Sequence, residues 1–219
     1  IETKLIQKAS IIVAISNKEK ELISKYVSQE KIITISNIHY PKVNKTEIPT
    51  FKQRENILFI GSKHTPNIDA IYFLYNEIMP KVWKINSEIK VQIIGDVVEE
   101  IKGISHPMFE FLGYVPNVES HFLNSKLMVA PLRYGAGVKG KIGQAFEYYL
   151  PVITTDIGAE GMNIDNNYHA IITNNPNEFA AKILELYQNK DLWQKLSDAS
   201  ENSLKPFSKE HLRSVIQSI

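Results

Sequence analysis

LMVAPLRYGAGVKGKIGQAFEYYLPVITTDIGAEGM, residues 127–162, is the stretch of sequence that decides the fold. Two short apolar runs, LMVAP at 127–131 and PVITT at 151–155, flank a glycine-rich loop and a helix-like segment at 138–149. Apolar runs of this length without polar alternation are typical of parallel strands that are buried on both faces. The stretch therefore predicts a β-α-β unit with parallel strands and a covering helix.

The same alternation of apolar runs and helix-like segments extends over most of the chain. Further apolar runs lie at 11–15, 32–36, 57–61, 91–95, 109–113 and 170–173. Helix-like segments lie at 17–28, 67–85, 116–125 and 176–188, and the tail beyond Asp191 is helical in pattern. Pro80 predicts a break near Ile78–Pro80, and Pro116 a helix start. We therefore expect an α/β fold with a doubly wound, Rossmann-like parallel sheet.

A polar stretch at 37–54, which contains Pro41 and Pro49, separates the first two apolar runs from the others. Stretches of this composition are common between domains. Residues 1–40 are too short to form a complete α/β domain. We therefore predict a remnant of another domain at 1–40, a linker at 41–54 and a ligand-binding domain at 55–219.

The composition excludes several classes of protein. The 219 residues carry a formal net charge of +1, which gives no general attraction to nucleic acid. The chain has no cysteine, and its histidines lack metal-ligand spacing, so we expect no metal site. No apolar run approaches the roughly 20 residues that a membrane span needs. The GK[ST] ending of a Walker loop and the G-x-G-x-x-G pattern of dinucleotide enzymes are both missing.

The loop at 132–141 is the strongest candidate for a binding site. Gly135, Gly137 and Gly140 alternate with basic residues at the predicted start of a helix, where Lys139 and Lys141 oppose the helix dipole. Glycines permit a tight turn that exposes backbone N–H groups, and a helix N-terminus attracts anions. The pattern favours a diphosphate ligand over the alternative of an exposed basic turn paired with nearby carboxylates.

Other loops that follow predicted strands also contain glycine, and ligands of parallel sheets bind at the carboxyl ends of strands. His64, beside Lys63, is the one histidine expected near this edge, although an exposed loop position is favoured for it. Glu160 follows the run PVITT. It is equally compatible with a contact to sugar hydroxyls and with an ion pair to Lys139 or Lys141.

The ordered series ILFIGSKHTPNIDAIYFL, VQIIGD, FLGYVPNVESHF and LMVAPLRYGAGVKGK…PVITTDIGAEGM resembles the C-terminal domain of GT-B-fold glycosyltransferases of family 4. The resemblance covers roughly residues 55–219. Residues 1–40 look like the last segment of the family's N-terminal domain. The resemblance implies a site for a nucleotide-diphosphate sugar of the UDP or GDP type, sugar transfer with retention of configuration, and no metal or other cofactor.

The resemblance also implies roles for individual residues. Catalysis would depend on Lys139, Lys141 and Glu160. The donor would contact Gly61, Ser62 and Lys63 near the phosphates or the interdomain cleft, Gly113, Tyr114 and Val115 at the nucleobase, Gly135, Ala136 and Gly137 at the diphosphate, and Gly161 at the ribose or sugar.

The sequence departs from the family at one pair of positions. Many members carry paired glutamates where this chain has Ala136 and Gln144. An acidic contact to the donor is therefore missing or shifted to Glu147 or Glu160. For Glu147 we favour an exposed position on a helix.

The predicted function is that of a glycosyltransferase fragment whose complete protein transfers a sugar to a glycan or lipid-linked acceptor bound by the other domain. The fragment alone is expected to be inactive. The alternatives are a sugar-nucleotide epimerase of the GT-B type and a non-catalytic nucleotide-sugar-binding module. The absence of cysteine fits a reducing cytoplasm, and the resemblance is compatible with peripheral contact at the inner face of the membrane.

Overall fold

The computed structural model describes residues 2–217, which form eight strands and eleven α-helices. The strands are β1 Ile12–Ala14, β2 Ile32–Thr34, β3 Glu55–Ile60, β4 Val91–Ile94, β5 Phe109–Gly113, β6 Ser125–Ala130, β7 Val152–Thr154 and β8 Ile171–Ile172. The helices are α1 Glu2–Lys8, α2 Asn17–Ile23, α3 Thr65–Phe73, α4 Met79–Trp83, α5 Glu119–Asn124, α6 Gly140–Glu147, α7 Asp156–Ala159, α8 Pro176–Gln188, α9 Lys190–Asp198, α10 Ser200–Leu204 and α11 Lys209–Gln217.

Six strands form one parallel sheet in the order β5-β4-β3-β6-β7-β8. All six residues of β6 are buried, which explains the unbroken apolar run at 127–131. Each apolar run of the sequence contributes to a strand, so the prediction of a parallel α/β sheet is confirmed. The chain builds the sheet outward from β3 in one direction to β5 and then returns to β6 beside β3.

Helices cover both faces of this sheet. Ile57 and Phe59 of β3 face a core that α3, α4, α8 and α9 complete, whereas Leu58 faces a second core formed with α5, α6 and α10. Alternate residues of a strand point to opposite faces, so β3 contributes to both cores. The doubly wound arrangement is therefore confirmed.

The predicted break in the long helix is present, with a particular geometry. A π-helical turn, Leu74–Ile78, joins α3 to α4, and Pro80 lies in the first turn of α4. Proline has no N–H for an α-helical hydrogen bond, and a π turn is one way to accommodate this interruption.

The helix start predicted at Pro116 is wrong. The helix α5 begins at Glu119, after a turn in which the Asn117 side chain accepts a hydrogen bond from the N–H of Glu119 at 2.9 Å. An asparagine side chain that bonds the backbone two residues ahead favours a turn over a continuing helix. Pro116 therefore lies in the loop before the helix.

The N-terminal strands β1 and β2 pair with each other in parallel and form a separate two-stranded sheet. The segment after β2 reaches the larger sheet, where the fully buried Arg54 donates to the carbonyls of Pro49 at 3.2 Å, Phe122 at 3.0 Å and Tyr148 at 3.0 Å. The division of the chain at 1–40, 41–54 and 55–219 stays a prediction. Within residues 2–217, each helix is too short or too polar to cross a membrane.

Candidate functional site

The candidate site lies where the direction of sheet building reverses. The strands β3 and β6 are neighbours, but the chain continues from β3 towards β4 and from β6 towards β7. The loops after β3 and β6 therefore diverge and leave a crevice at the carboxyl ends of the strands, which is where open parallel sheets bind ligands.

This crevice, which we call the β3–β6 cleft, has a volume of about 250 Å³. The loop after β3 and the start of α3 line one side with Ser62, His64, Pro66 and Asn67. The loop after β6 and the start of α6 line the other side with Leu132, Gly135, Ala136, Val138, Lys139, Gly140 and Lys141. The predicted residues Ser62, Gly135, Ala136, Lys139 and Lys141 are thus brought together.

The glycine loop has an unusual backbone conformation and leads into unpaired N–H groups at the start of α6. Gly135 and Gly137 have φ values of 124° and 79°, a region that side chains disfavour. The first two residues of α6 are Gly140 and Lys141. Within residues 2–217, their amide N–H groups have no hydrogen-bond acceptor, and the Lys139 side chain does not cap the helix. The positive end of the α6 dipole therefore opens into the cleft.

Lys139 lies against its own loop. Its ammonium is 3.2 Å from the carbonyl oxygen of Ala136 and 2.5 Å from that of Gly137. Burial lowers the pKa of Lys139, and the charge of Glu160 partly opposes this effect. No carboxylate of the described residues forms an ion pair with Lys139.

Lys141 is more enclosed than Lys139. Its Nζ atom donates to the side-chain Oδ1 of Asn67 at 2.6 Å and lies 4.7 Å from the centre of the Phe59 ring. Burial, and secondarily the charge of Lys139, lowers the pKa of Lys141 to about 7. Since its hydrogen-bond partner is neutral, the positive charge that Lys141 carries when it is protonated is uncompensated inside the fold.

Glu160 and Gly161 lie beside the glycine loop but outside the cleft lining. Glu160 pairs with Lys18 of α2 at 2.5 Å, so of its two predicted roles the ion pair to Lys139 or Lys141 is not formed, and the contact to sugar hydroxyls stays a prediction. Gly161, with a φ of 76°, packs close to Val138, and a Cβ there would lie 3.0 Å from Val138 Cγ2. The N-terminal segment therefore supplies the counter-ion of Glu160.

Some residues of the loop after β3 pack against neighbouring segments, and others line the cleft. Gly61 approaches the next loop so closely that a Cβ on Gly95 would lie 2.0 Å from the Gly61 carbonyl oxygen. Lys63 forms ion pairs with Glu99 at 3.4 Å and Glu100 at 2.5 Å. Its ammonium is thus bound to carboxylates and does not line the cleft.

Of the predicted nucleobase residues, Gly113 is the last residue of β5, and Tyr114 and Val115 follow it; β4 separates this strand from β3. Tyr114 is 78% exposed. The structure therefore does not bring these three residues into the cleft.

The expected exposed position of Glu147 is wrong. Glu147 is buried at the end of α6, where its Oε1 atom lies 3.1 Å from Nδ1 of His39 and accepts from the N–H of Tyr40 at 3.4 Å. A buried carboxylate needs such partners, and two residues just before the predicted linker provide them. Ala136 and Gln144, at the positions of the paired glutamates, are exposed.

Asn67 is the cleft residue that our sequence reasoning missed. It belongs to the motif HTPN at 64–67, in which a proline directly precedes it in the first turn of α3. A polar residue in the first turn after a strand loop is a weak signal of a ligand contact, because such residues also cap helices. His64, which was expected at this edge, does line the cleft.

Comparisons with known proteins identify the family. The family model for glycosyl transferases group 1 matches residues 54–189. A 44.6 kDa protein of the cps region of Klebsiella pneumoniae is 29% identical over 151 residues, which is 61% of this chain and 37% of that protein. The glycosyltransferase MJ1178 of Methanocaldococcus jannaschii is 26% identical over 211 residues, which is 90% of this chain and 58% of that protein.

Solved structures show the same fold. TarM superposes with a TM-score of 0.75 at 20% identity, covering 99% of this chain and 44% of TarM. Anabaena HepE, in complex with UDP and glucose, gives 0.74 at 12% identity, covering 99% of this chain and 66% of HepE. The chain thus spans well under half to about two thirds of these proteins.

The prediction of a Rossmann-like C-terminal half of a GT-B fold agrees with these structures and is confirmed. Since the family model covers more than half of its residues, the chain belongs to the group 1 glycosyl transferases.

Proposed function

We propose that the β3–β6 cleft binds the diphosphate of a nucleotide sugar. The observation that carries this proposal is the uncompensated positive charge of the cleft. Lys139 and Lys141 have no carboxylate partner among the described residues, and the unpaired amides of Gly140 and Lys141 open beside them. A diphosphate supplies the acceptor oxygens and negative charge that these groups lack.

In the complete protein, we propose, this site supports sugar transfer with retention of configuration and without a metal. When the bond between sugar and diphosphate breaks, negative charge grows on the leaving diphosphate. Fixed ammonium and amide groups stabilise this charge more strongly in the transition state than in the ground state. The complexes of HepE with UDP and with UDP-glucose support UDP as the first nucleotide to test, with GDP as the second.

For the acceptor we propose a glycan or lipid-linked saccharide, bound by parts of the protein outside the cleft. The cps-region relative and the lipopolysaccharide galactosyltransferase WaaB support surface-glycan chemistry. A lipid-linked acceptor would bring the complete protein into peripheral contact with the membrane. The 219-residue chain alone is then expected to bind donor but to transfer sugar poorly or not at all.

Calorimetric titration tests the donor site. UDP or GDP should bind the chain at least about tenfold more tightly than the matching nucleoside, because charge-assisted hydrogen bonds form only with the diphosphate. Lys141→Ala should weaken diphosphate binding by at least about tenfold, whereas Lys182→Ala on the exposed face of α8 should leave it unchanged. EDTA should have no effect. Absence of diphosphate binding at millimolar concentration would contradict the proposal.

A further inference from the structure

Asn67 holds the more enclosed of the two cleft lysines. Its side chain is buried, and its Oδ1 atom accepts from Nζ of Lys141 at 2.6 Å, while its Nδ2 group donates to the carbonyl of Ser62 at 2.8 Å. A lysine ammonium can only donate and a carbonyl can only accept, so the orientation of the amide is fixed by its two partners.

The surroundings leave the Asn67 side chain little freedom. A Cβ on Gly61 would lie 3.0 Å from Asn67 Cγ, so glycine at position 61 makes room for the amide. The backbone N–H of Asn67 also donates to the carbonyl of His64 at 2.9 Å. Asn67 thus fixes the position of Lys141 relative to both sides of the β3–β6 cleft.

The chemistry of the partner matters as much as its position. A carboxylate at position 67 would also hold Lys141, but it would neutralise the ammonium and repel an incoming diphosphate. The amide orients the ammonium through one hydrogen bond and leaves its charge uncompensated. An amide at this position suits an anion site, whereas a lysine with a purely structural role would be better stabilised by a carboxylate.

We infer that Asn67 is the positioning residue of the diphosphate site, which holds the Lys141 ammonium at the cleft while leaving its charge for the ligand. This inference rests on the proposed function of the cleft. It makes Asn67 responsible for affinity towards the diphosphate, independently of the base and the sugar.

The test compares Asn67→Ala with Asn67→Asp in the 219-residue chain, by titration with UDP and with inorganic pyrophosphate. Loss of the orienting oxygen in Asn67→Ala should weaken both ligands about tenfold. Asn67→Asp should weaken them about a further tenfold, although it strengthens the contact to Lys141. Asn177→Asp adds the same charge at the exposed first turn of α8 and should leave both affinities unchanged.

The pH dependence gives a readout that a purely structural role would not change. Among the residues that line the cleft, Lys139 and His64 are the other titratable groups, and burial already lowers the pKa of Lys141 to about 7. Wild-type affinity should therefore fall as the pH rises from about 7 to about 9, because the free protein must then take up a proton on binding. In Asn67→Asp the new carboxylate keeps Lys141 protonated, and this decline should flatten.

Two results would contradict the positioning role of Asn67 without affecting the proposed function of the cleft. One is wild-type affinity in Asn67→Asp. The other is an equal loss of affinity in Asn67→Ala and Asn67→Asp that parallels a loss of thermal stability, since this indicates only a damaged fold. Failure of the wild-type chain to bind UDP, GDP or pyrophosphate is a different outcome, because it removes the proposed function and this inference together.

Discussion

Lys141 illustrates at the scale of one residue how a binding site opposes stability. Its pKa falls from 10.5 to about 7 in the folded chain because burial disfavours the ammonium. Between these two values the unfolded chain binds more protons than the folded chain, so stability rises with pH across this range. Below about pH 7 the folded chain bears the full cost of the buried charge.

We therefore predict that Lys141→Met stabilises the protein while it removes diphosphate binding. Near pH 7 the free energy of unfolding should rise by on the order of 2 kcal/mol, since methionine fills the site without a charge. The gain should shrink towards about pH 10, because the folded wild-type chain loses the proton of Lys141 above about pH 7 and its stability then rises with pH. Urea unfolding at the two pH values measures this. A loss of stability at neutral pH would contradict the burial argument.

The residues of the site could be predicted only where the signal is local. The spacing of Lys139, Lys141 and the glycines within ten residues of sequence indicates an anion-binding loop. The partner of Lys141 is 74 residues distant in the chain, and that of Glu147 is 108 residues distant. Such contacts follow from the packing of elements and have no sequence period, so Asn67 was missed and Glu147 was assigned to the surface.

At the scale of an element, the helix α6 needs glycine at position 143 because another part of the chain packs directly against its backbone there. The ring of His39 packs directly on Gly143, and a Cβ there would lie 2.4 Å from His39 Nε2. The His39 ring also contacts Phe207 edge to face, with centroids 5.8 Å apart. The chain around His39, just before the predicted linker, therefore packs on α6 because residue 143 has no side chain.

A double-mutant cycle tests this contact. Gly143→Ala alone should lower the free energy of unfolding by about 1–3 kcal/mol, because the new methyl group overlaps the imidazole. In a His39→Ala background the same change should be neutral or stabilising by up to about 1 kcal/mol, since alanine favours a helix over glycine. Urea unfolding of the four proteins gives the coupling. Equal effects of Gly143→Ala in both backgrounds would show that His39 is not the obstacle.

Elements were more predictable than contacts. Each of the eight strands lies on a continuous apolar run, so all eight strand positions follow from the sequence, although Val13 of β1 is exposed. The start of α5 was wrong because the competing Asn117 turn has the same composition as a helix start. The π-helical turn at 74–78 lies just before the expected proline break, but its hydrogen-bond pattern depends on packing against the rest of the molecule.

At the scale of the whole molecule, the segment before β3 is held to the sheet domain by buried polar groups. Glu147 binds His39 and Tyr40, and Arg54 donates to three separate backbone segments. Burial lowers the pKa of Arg54 to about 10, and only carbonyl oxygens receive its hydrogen bonds. The polar stretch at 37–54 was predicted as a boundary from its polarity and prolines. Polarity alone does not reveal that this stretch is held to the sheet domain by buried contacts.

We predict that Glu147→Ala loosens this anchor and leaves the sheet folded. The two hydrogen bonds to His39 and Tyr40 are lost and His39 stays buried without a partner for Nδ1, which should cost about 2 kcal/mol in the free energy of unfolding. Limited proteolysis should show faster cleavage within residues 37–54. Glu185→Ala, which removes an exposed carboxylate of α8, is the control and should change neither measurement. Unchanged cleavage would indicate that Arg54 alone is sufficient.

The strand order has one more consequence. The opening between the loops after β3 and β6 comes from the path of the backbone, and it exists whatever side chains the two loops carry. Mutations in these loops can therefore alter which molecule is recognised with little damage to the scaffold. A fold with this strand order can therefore carry different chemistry through changes confined to one loop at a time.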